Sequence, residues 1–333
     1  MSFGNDALPL STRRQFLIRS AALSAAFFWG THCVARCAAA RTRDLSSAEV
    51  SEGFAAFART KHMPPDLQAW LSDPAAQRIK PYRVFDNVWQ VGVRWVSAYL
   101  LKTSDGAILI DTTHEPFADD MIEKIRNAGV KPEEIRFVLM THGHFDHAGG
   151  AERLRKALPN ARFGMSAEGW REAEESANAT ANTTRAWTMM KRRENDMVLK
   201  DGDRIRAGDT EVLVLETPGH TWGTLSYVYD VRHGGKTHRA VTIGGQGLNA
   251  ISGPEQLEAY IRSMKRLGDE SLGIDVDLTA HPFSTGLTEK IPAVLAAKPD
   301  EPHPLVDRKD YLDRLERLAD GAKKALEAMR KAA

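Results

Sequence analysis

Residues 141–150 read THGHFDHAGG, and this stretch places three histidines and one aspartate within six positions. Residues 135–140, directly before it, are mainly apolar and include β-branched side chains, which is typical of a buried strand. Imidazole nitrogens and carboxylate oxygens are good ligands for zinc, and the three glycines of the stretch allow tight bends. It therefore predicts a metal centre at a strand end, where His142 and His144 face one ion and Asp146 and His147 face a second.

Two further histidines follow predicted strands elsewhere in the chain. His220 lies in a Pro-Gly turn after the predicted strand 211–216, and His281 follows the predicted strand 276–279. Side chains at the ends of separate strands converge on one edge of an α/β sheet, where sites of this class are usually built. Either histidine alone would more often be structural, but beside the first cluster both are candidate metal ligands.

The rest of the chain contains two similar series of strands and helices. In the first half, strands are predicted at 84–93, 96–101 and 107–110, and a helix at 116–127. In the second half, strands are predicted at 211–216, 225–230 and 240–243, and helices at 254–267 and 305–329. This order predicts two similar halves packed as a sandwich. Residues 176–190 interrupt it, and we interpret them as a mobile loop that is either a lid over the site or a plain surface insertion.

Composition excludes several classes of protein. The chain has 333 residues, of which 42% are hydrophobic, and its 45 Lys and Arg nearly balance its 44 Asp and Glu. That length allows two average domains or one large α/β domain. The charge balance argues against a nucleic-acid partner, and the composition argues against a disordered chain. A run of about 18 apolar residues, which a spanning helix needs, does not occur, so we expect no stable membrane anchor.

The first forty residues resemble a twin-arginine export signal. Residues 11–17 read STRRQFL, an apolar stretch follows at 21–29, and three alanines at 38–40 offer a cleavage site. The alternatives are an ordinary Sec signal or a short membrane anchor. We therefore divide the chain into a signal peptide (1–40), an N-terminal extension (41–80) and a main domain (81–333), and we expect a periplasmic protein whose partner during export is the twin-arginine machinery. Both cysteines, Cys33 and Cys37, would leave with the signal, which excludes a disulfide or a cysteine nucleophile from the mature protein.

Taken together, the motifs resemble the metallo-β-lactamase superfamily of hydrolases. The His-x-His-x-Asp-His stretch, the Pro-Gly-His turn and the strand-end His281 occur in the order of that family. Asp111 matches the early strand-end aspartate that supports the metal ligands in the family. The resemblance runs from about Tyr82 to the C-terminus. It implies an α/β fold, the four-layer αβ/βα sandwich.

Within the superfamily, the pattern is similar to the third subclass of the metallo-β-lactamases. That resemblance implies two zinc ions per chain, one on His142, His144 and His220 and the other on Asp146, His147 and His281. Glyoxalase-type thioesterases and lactonases carry a bridging aspartate after a late strand, where this chain has Gly244-Gly245. The chain also departs from the subclass, because its next loop lacks the usual substrate-binding serine and because Trp222 stands where proline is usual.

The expected function is that of a dinuclear zinc hydrolase. Metal-bound hydroxide would attack a carbonyl carbon of a small-molecule substrate, and Asp146, as catalytic residue, would orient the nucleophile and help to move its proton. We expect β-lactam ring opening, with a lactone or ester hydrolase as the alternative and a metal-binding protein without turnover as a third class. Gln246 and Asn249 are candidate substrate donors; the alternative is that their loop serves only as a turn. The remaining histidines are expected in loops or at the surface, namely His114, His233, His238 and His303. The sequence does not give the oligomeric state.

Overall fold

The computed structural model describes residues 42–60, 62–180 and 191–332. The predicted export signal and residues 181–190 of the predicted loop lie outside the described residues. Residues 176–180 were predicted to belong to the same loop, and this part of the prediction is wrong, because they form the last turn of a helix, Ala167–Thr180. None of the helices in the described part of the chain is both long and apolar enough to cross a membrane.

The first sheet has seven strands in the order β1-β2-β3-β4-β5-β6-β7. Its first four strands pair antiparallel, and β4 to β7 pair parallel. The strands are β1 (Tyr82–Phe85), β2 (Val88–Gln90), β3 (Tyr99–Thr103), β4 (Gly106–Ile110), β5 (Ile135–Leu139), β6 (Arg162–Ser166) and β7 (Met197–Leu199). The strand predicted at 84–93 is in fact the β1–β2 hairpin, because Asp86 and Asn87 form its turn.

The second sheet has five strands in the order β12-β11-β10-β9-β8. Its pairs are antiparallel except for β11 and β12, which are parallel. The strands are β8 (Arg204–Ala207), β9 (Thr210–Glu216), β10 (Leu225–His233), β11 (Lys236–Thr242) and β12 (Val276–Asp277). Gly234 and Gly235 form the hairpin between β10 and β11, as the sequence predicted; both have positive φ angles, which glycine adopts without a steric penalty.

The helices precede, connect and follow these strands. They are α1 (Ser47–Thr60), α2 (Pro65–Ser72), α3 (Pro74–Gln77), α4 (Ala118–Asn127), α5 (Phe145–Ala148), α6 (Ala151–Ala157), α7 (Ala167–Thr180), α8 (Pro254–Leu267), α9 (Leu287–Ala296) and α10 (Arg308–Ala332). The helix predicted at 254–267 is confirmed at both ends. The helix predicted from 305 begins later, at Arg308, because the Asp307 carboxylate caps its first turn by accepting from the backbone N–H of Asp310.

Four layers follow from where the apolar side chains lie. Between the sheets, Tyr99, Ile108 and Ile110 of the first sheet pack against side chains of the second, such as Val214 and Tyr227. On the outer face of the first sheet, α4 and α6 pack on β3 to β6. On the outer face of the second sheet, α8 and α10 pack on β9 to β11. The predicted α/β fold, a four-layer αβ/βα sandwich, is confirmed.

The N-terminal helices form a separate cluster beside the sandwich. Apolar side chains of α1 and α2 pack around Trp95, which lies in the loop between β2 and β3 and is 4% exposed. The rings of Phe54 and Trp95 stack 6.2 Å apart, and that of Phe54 lies 5.4 Å from Phe283. Residues 45–76 therefore lie beside the segment that carries His281.

Candidate metal centre

The predicted ligands form two groups at one edge of the sandwich. One group joins His142, His144 and His220, and the other joins Asp146, His147 and His281; within each, the candidate ligand atoms all lie within 4.8 Å of one another. Four of the six residues come from the segment after β5, which ends in the short helix α5. The other two follow β9 and β12 of the second sheet. The fold thus brings together all six residues that the sequence pattern singled out.

The first group has the spacing of a zinc site. Nδ1 of His144 lies 3.0 Å from Nε2 of His142 and 3.1 Å from Nε2 of His220. Three nitrogens bound to one tetrahedral zinc ion at its usual bond length are separated by about 3.3 Å. Carbonyl oxygen only accepts, so Nδ1 of His220, which lies 2.6 Å from the carbonyl oxygen of Gly247, donates. The lone pair on Nε2 of His220 therefore faces the other two histidines, as a metal ligand requires.

The second group is equally compact. Nε2 of His147 lies 3.2 Å from Nε2 of His281 and 3.2 Å from Oδ2 of Asp146. The third separation, from Nε2 of His281 to Oδ2 of Asp146, is 3.7 Å. His281 donates from Nδ1 to the backbone carbonyl of Trp95 over 2.8 Å, which turns its Nε2 toward the group. These residues fit a second ion held by two nitrogens and one oxygen.

Burial keeps most of these histidines in the form that binds metals. It lowers the pKa of His144 to about 3 and that of His281 to about 4, and it also lowers the pKa values of His142 and His220. These four imidazoles are therefore neutral at pH 7. A neutral imidazole has a free lone pair, which a metal ion accepts.

His147 and Asp146 have shifts of the opposite kind. Burial by itself would lower the pKa of His147, but the carboxylates of Asp146 and Asp111 outweigh it and raise that pKa to about 10. Burial likewise opposes ionisation of Asp146, yet His147 holds the pKa of that carboxyl well below its usual range. Two carboxylates thus face one buried imidazole, and this environment favours a positive charge. A divalent cation provides that charge without a proton on His147.

Asp111 connects the two strands that lead into the site. It follows β4, is 1% exposed, and accepts from the backbone N–H of Thr141 at 2.7 Å and from the Thr141 hydroxyl at 3.0 Å. Oδ2 of Asp111, which accepts from that hydroxyl, also accepts from Nδ1 of His147 at 2.9 Å. Its φ angle is 60°, a conformation that costs a non-glycine residue free energy and is found at sites where the surroundings impose it. Asp111 therefore lies where the family resemblance predicts, and it fixes the orientation of His147.

The loop after β11 closes around His220. A Cβ atom on Gly245 would lie 2.4 Å from Cδ2 of the His220 ring, and one on Gly244 would lie 2.1 Å from the carbonyl oxygen of Leu225. Neither position has room for a side chain. The glycines therefore allow the loop to approach closely enough for the Gly247 carbonyl to orient His220.

The two predicted substrate donors have different environments. Gln246 is 8% exposed, and its amide nitrogen donates to the Thr279 hydroxyl while its amide oxygen accepts from Arg314. These contacts satisfy the amide within the protein and argue against its predicted role as a substrate donor. Asn249 is exposed in a short 3-10 turn, Leu248–Ala250, and keeps that predicted role.

Three of the histidines expected in loops or at the surface are buried, and two of these, His114 and His303, lie in loops. His114 is 7% exposed, and its ring lies 4.5 Å from Phe117 and 6.0 Å from Trp95. His303 is 4% exposed and stacks on Phe85 at 3.9 Å, and His233 is 7% exposed. Of these three, the expectation is wrong only for His233, which is buried at the end of β10, where its ring packs 4.9 Å from that of His303. The Trp95 and Gly247 carbonyls could not be predicted from the sequence either, because a backbone acceptor has no side-chain pattern.

Comparison with known proteins gives one family and two groups of relatives. A protein-family model described as the metallo-β-lactamase superfamily matches residues 91–233. Hydroxyacylglutathione hydrolase of Rhodopseudomonas palustris is 36% identical over 115 residues, which are 34% of this chain and 36% of that protein. The cytoplasmic hydroxyacylglutathione hydrolase of Arabidopsis thaliana is 30% identical over 112 residues, 33% of this chain and 35% of that protein. The match thus spans about a third of the length of these curated relatives.

The similarity to solved structures covers more of the chain. BJP-1, a subclass B3 metallo-β-lactamase of Bradyrhizobium japonicum, is 25% identical with a TM-score of 0.66, and the match covers 77% of this chain and 97% of that one. The native FEZ-1 metallo-β-lactamase from Legionella gormanii is 25% identical with a TM-score of 0.66, and the match covers 76% of this chain and 98% of that one. The whole sandwich is therefore shared with these structures, whereas the match to the curated relatives is local.

Proposed function

Because the chain belongs to the metallo-β-lactamase superfamily of hydrolases, we propose that it is a zinc-dependent hydrolase that opens β-lactam rings. The observation that carries the proposal is the pair of adjacent three-ligand groups, one of three histidines and one of an aspartate and two histidines. This pair suits two zinc ions, and the fold around it covers nearly the full length of BJP-1.

The closed loop after β11 supports a β-lactam substrate over a thioester. Glyoxalase-type thioesterases carry a bridging aspartate after the late strand, and this chain has Gly244 and Gly245 there. Side chains at these two positions would collide with the Leu225 carbonyl and with His220 respectively. A bridging carboxylate is therefore incompatible with the present position of His220, and the six residues already described form the whole proposed ligand set.

The six ligands and Asn249 have different roles in the proposed reaction. Two zinc ions, when bound, would supply Lewis acidity and lower the pKa of a water molecule toward about 7. The five histidines would hold the ions as neutral imidazoles, and His147 would give up its proton to do so. Asp146 has the only carboxylate among the six ligands, and it stays ionised. We assign it a second role, in which its carboxylate orients the attacking water and helps to move the proton that this water releases. Asn249, which is exposed, is the remaining candidate donor to the substrate.

A second candidate function is hydrolysis of a thioester, ester or lactone. The observation that favours it is the local identity to proteins named hydroxyacylglutathione hydrolases. The same ligands would serve this reaction, because attack at a carbonyl carbon is common to all of these substrates. The two functions differ in which substrate the loop after β11 admits.

A substrate panel separates these functions. Zinc-loaded protein is assayed with a penicillin, a cephalosporin, a carbapenem, a lactone and an S-acylglutathione, with chelator-treated protein as blank. Turnover of a β-lactam is expected, and Asp146→Ala and His220→Ala should abolish it. His238→Ala is the matched control, since His238 pairs with Asp275 away from both groups. Turnover of only the thioester, ester or lactone would transfer the function to the second candidate.

Metal content is tested on the same protein. Elemental analysis should give close to two zinc ions per chain, and His281→Ala should lose mainly one of them. A single tightly bound ion that this substitution leaves unchanged would contradict the two-metal site.

The proposed location is the periplasm, reached through the twin-arginine machinery. The support is the sequence alone, in which Arg13 and Arg14 precede Phe16 and Leu17. Replacing both arginines with lysine keeps the charge but should leave the precursor in the cytoplasm. Normal export of the Lys-Lys variant would favour a Sec signal instead.

A further inference from the structure

Arg314, on the C-terminal helix α10, is a buried cation that contacts the loop orienting His220 and the segment that carries His281. The residue is 5% exposed. Its guanidinium pairs with the carboxylate of Asp277 and donates to the amide oxygen of Gln246. It also donates to the hydroxyl of Ser284 at 3.2 Å and, from Nε, to the Ser284 carbonyl at 3.3 Å. One planar group thus joins three segments that are separate in sequence.

The contact with Gln246 leads to the first ligand group. Gln246 directly precedes Gly247, whose carbonyl accepts from Nδ1 of His220 at 2.6 Å. The backbone carbonyl of Gln246 accepts from the Tyr260 hydroxyl at 2.7 Å, so both its side chain and its backbone are fixed. Arg314 therefore helps to set the position of the carbonyl that orients His220.

The contacts with Ser284 and Asp277 lead to the second ligand group. The Ser284 hydroxyl donates to the carbonyl of His281 at 2.7 Å. Asp277 is the last residue of β12, four positions before His281. Between them, Thr279 accepts from the amide nitrogen of Gln246, which ties the two loops to each other as well. The segment that carries His281 is therefore held at both of its ends by the same guanidinium.

A second buried ion pair, between Arg155 and Asp196, provides a comparison for the contacts of Arg314. Arg155 forms a two-pronged pair with Asp196 at 2.9 and 2.6 Å, and these side chains are 13% and 2% exposed. That pair joins α6 to the residue before β7. Arg155 and Arg314 are thus both largely buried, and each is paired with a carboxylate. They differ in their partners, because those of Arg314 lie in the loop that orients His220 and in the segment that carries His281.

From these contacts we propose that Arg314 is a positioning residue that sets His220 and His281 together, so that one guanidinium supports both metal sites. The proposal rests on the two-metal site of the proposed function. Groups that hold metal ligands in place typically change metal affinity by about 10–100-fold when they are replaced. Loss of the fork at Arg314 should therefore weaken both sites, although they share no ligand.

Arg314→Lys tests this directly, because lysine keeps the charge beside Asp277 but loses the planar fork that reaches Gln246 and Ser284. The effect is measured in two backgrounds, His281→Ala, which leaves the first site, and His220→Ala, which leaves the second. Each full-length protein is titrated with Zn²⁺ against a competing chelator, and with Co²⁺ while its visible absorption is recorded. Arg314→Lys should weaken the remaining site at least tenfold in both backgrounds and change both Co²⁺ spectra. Arg155→Lys, the matched control, should do neither.

Two single-branch variants keep the proposal testable if Arg314→Lys does not fold. Gln246→Met should weaken mainly the site with His220, since its bond to Thr279 is also lost, and Ser284→Ala only the site with His281. Equal zinc affinities for Arg314→Lys and Arg155→Lys, or a loss in one background alone, would overturn the proposal while leaving the proposed function intact. Failure of both parent proteins to bind any ion would overturn the proposed function, and this inference with it.

Discussion

A single methyl group at position 245 should disrupt the first ligand group without touching the second. In Gly245→Ala, the new Cβ would lie 2.4 Å from Cδ2 and 2.5 Å from Cγ of His220. Ordinary contact between carbon atoms begins at about 3.5 Å, so the ring has to move by about 1 Å. The Gly247 carbonyl fixes the ring by accepting from its Nδ1 at 2.6 Å, and a shift of this size breaks that bond.

The size of the effect follows from the tolerance of a metal site. Zinc–ligand distances vary by only about 0.2 Å, so a shift of about 1 Å removes His220 as a ligand unless the loop gives way. Overpacking of this kind costs about 1–3 kcal/mol, which corresponds to a 5- to 150-fold loss of affinity. The site with Asp146, His147 and His281 should keep its affinity, because the three heavy atoms nearest to the added methyl group all belong to His220.

The assay is a competition titration with zinc and a chelator, which resolves the first and second equivalents. Gly253→Ala is the matched control, because its Cβ would meet only the Glu255 carboxylate, at 3.4 Å. Two equivalents bound by Gly245→Ala with the affinity of the parent protein would refute this account of how His220 is held.

Three more predictions concern groups around the site. Asp111→Asn removes the charge that faces Nδ1 of His147, so the zinc affinity of the second group should fall about 10–100-fold. The same titration measures this, and an unchanged affinity would contradict the role of Asp111 in orienting His147. Burial raises the pKa of Glu172 from 4.5 to about 7, so the folded state binds this proton more tightly than the unfolded state does. The resulting stabilisation is complete below pH 4.5 and is lost as the pH rises through about 7. The wild type is therefore compared with Glu172→Gln in urea melts between pH 5 and 7. Its free energy of unfolding should fall, relative to that of the variant, by up to about 1.4 kcal/mol per pH unit. A difference that stays constant with pH would show that Glu172 does not titrate in this range. Removal of zinc with a chelator should lower the melting temperature, because zinc at 100 times its Kd adds about 2.7 kcal/mol per site, and an unchanged melting curve would count against structural coupling of the ions.

The ligands could be predicted from the sequence because each is a side chain of diagnostic type at a strand end. Four of them fall within residues 142–147, after a strand whose apolar residues mark it as buried. His220 follows β9 and His281 lies four residues after the end of β12, so the end of a strand again marks the position. Such patterns are local, because each ligand and the strand before it lie close together in the sequence.

The supporting contacts could not be predicted in this way, since their parts are far apart or belong to the backbone. His281 donates to the carbonyl of Trp95, which is 186 positions away. Gln246 is a candidate substrate donor from the sequence, and its partner Arg314 lies 68 positions later, too far to be recognised there. The hairpin at 82–90 was missed for a different reason, since its two-residue turn, Asp86-Asn87, interrupts the apolar pattern only briefly.

The distribution of ligands between the two halves of the sandwich has a consequence for how the site forms. The first group takes two ligands from the loop after β5 in the first sheet and His220 from the second sheet, and the second group takes Asp146 and His147 from that loop and His281 from the second sheet. Neither half can complete either group alone. Three ligands meet only where the two sheets are packed against each other across their shared core, in which Ile110 and Tyr227 take part. Each bound ion then joins the two sheets, so that metal affinity and the packing of the halves stabilise each other.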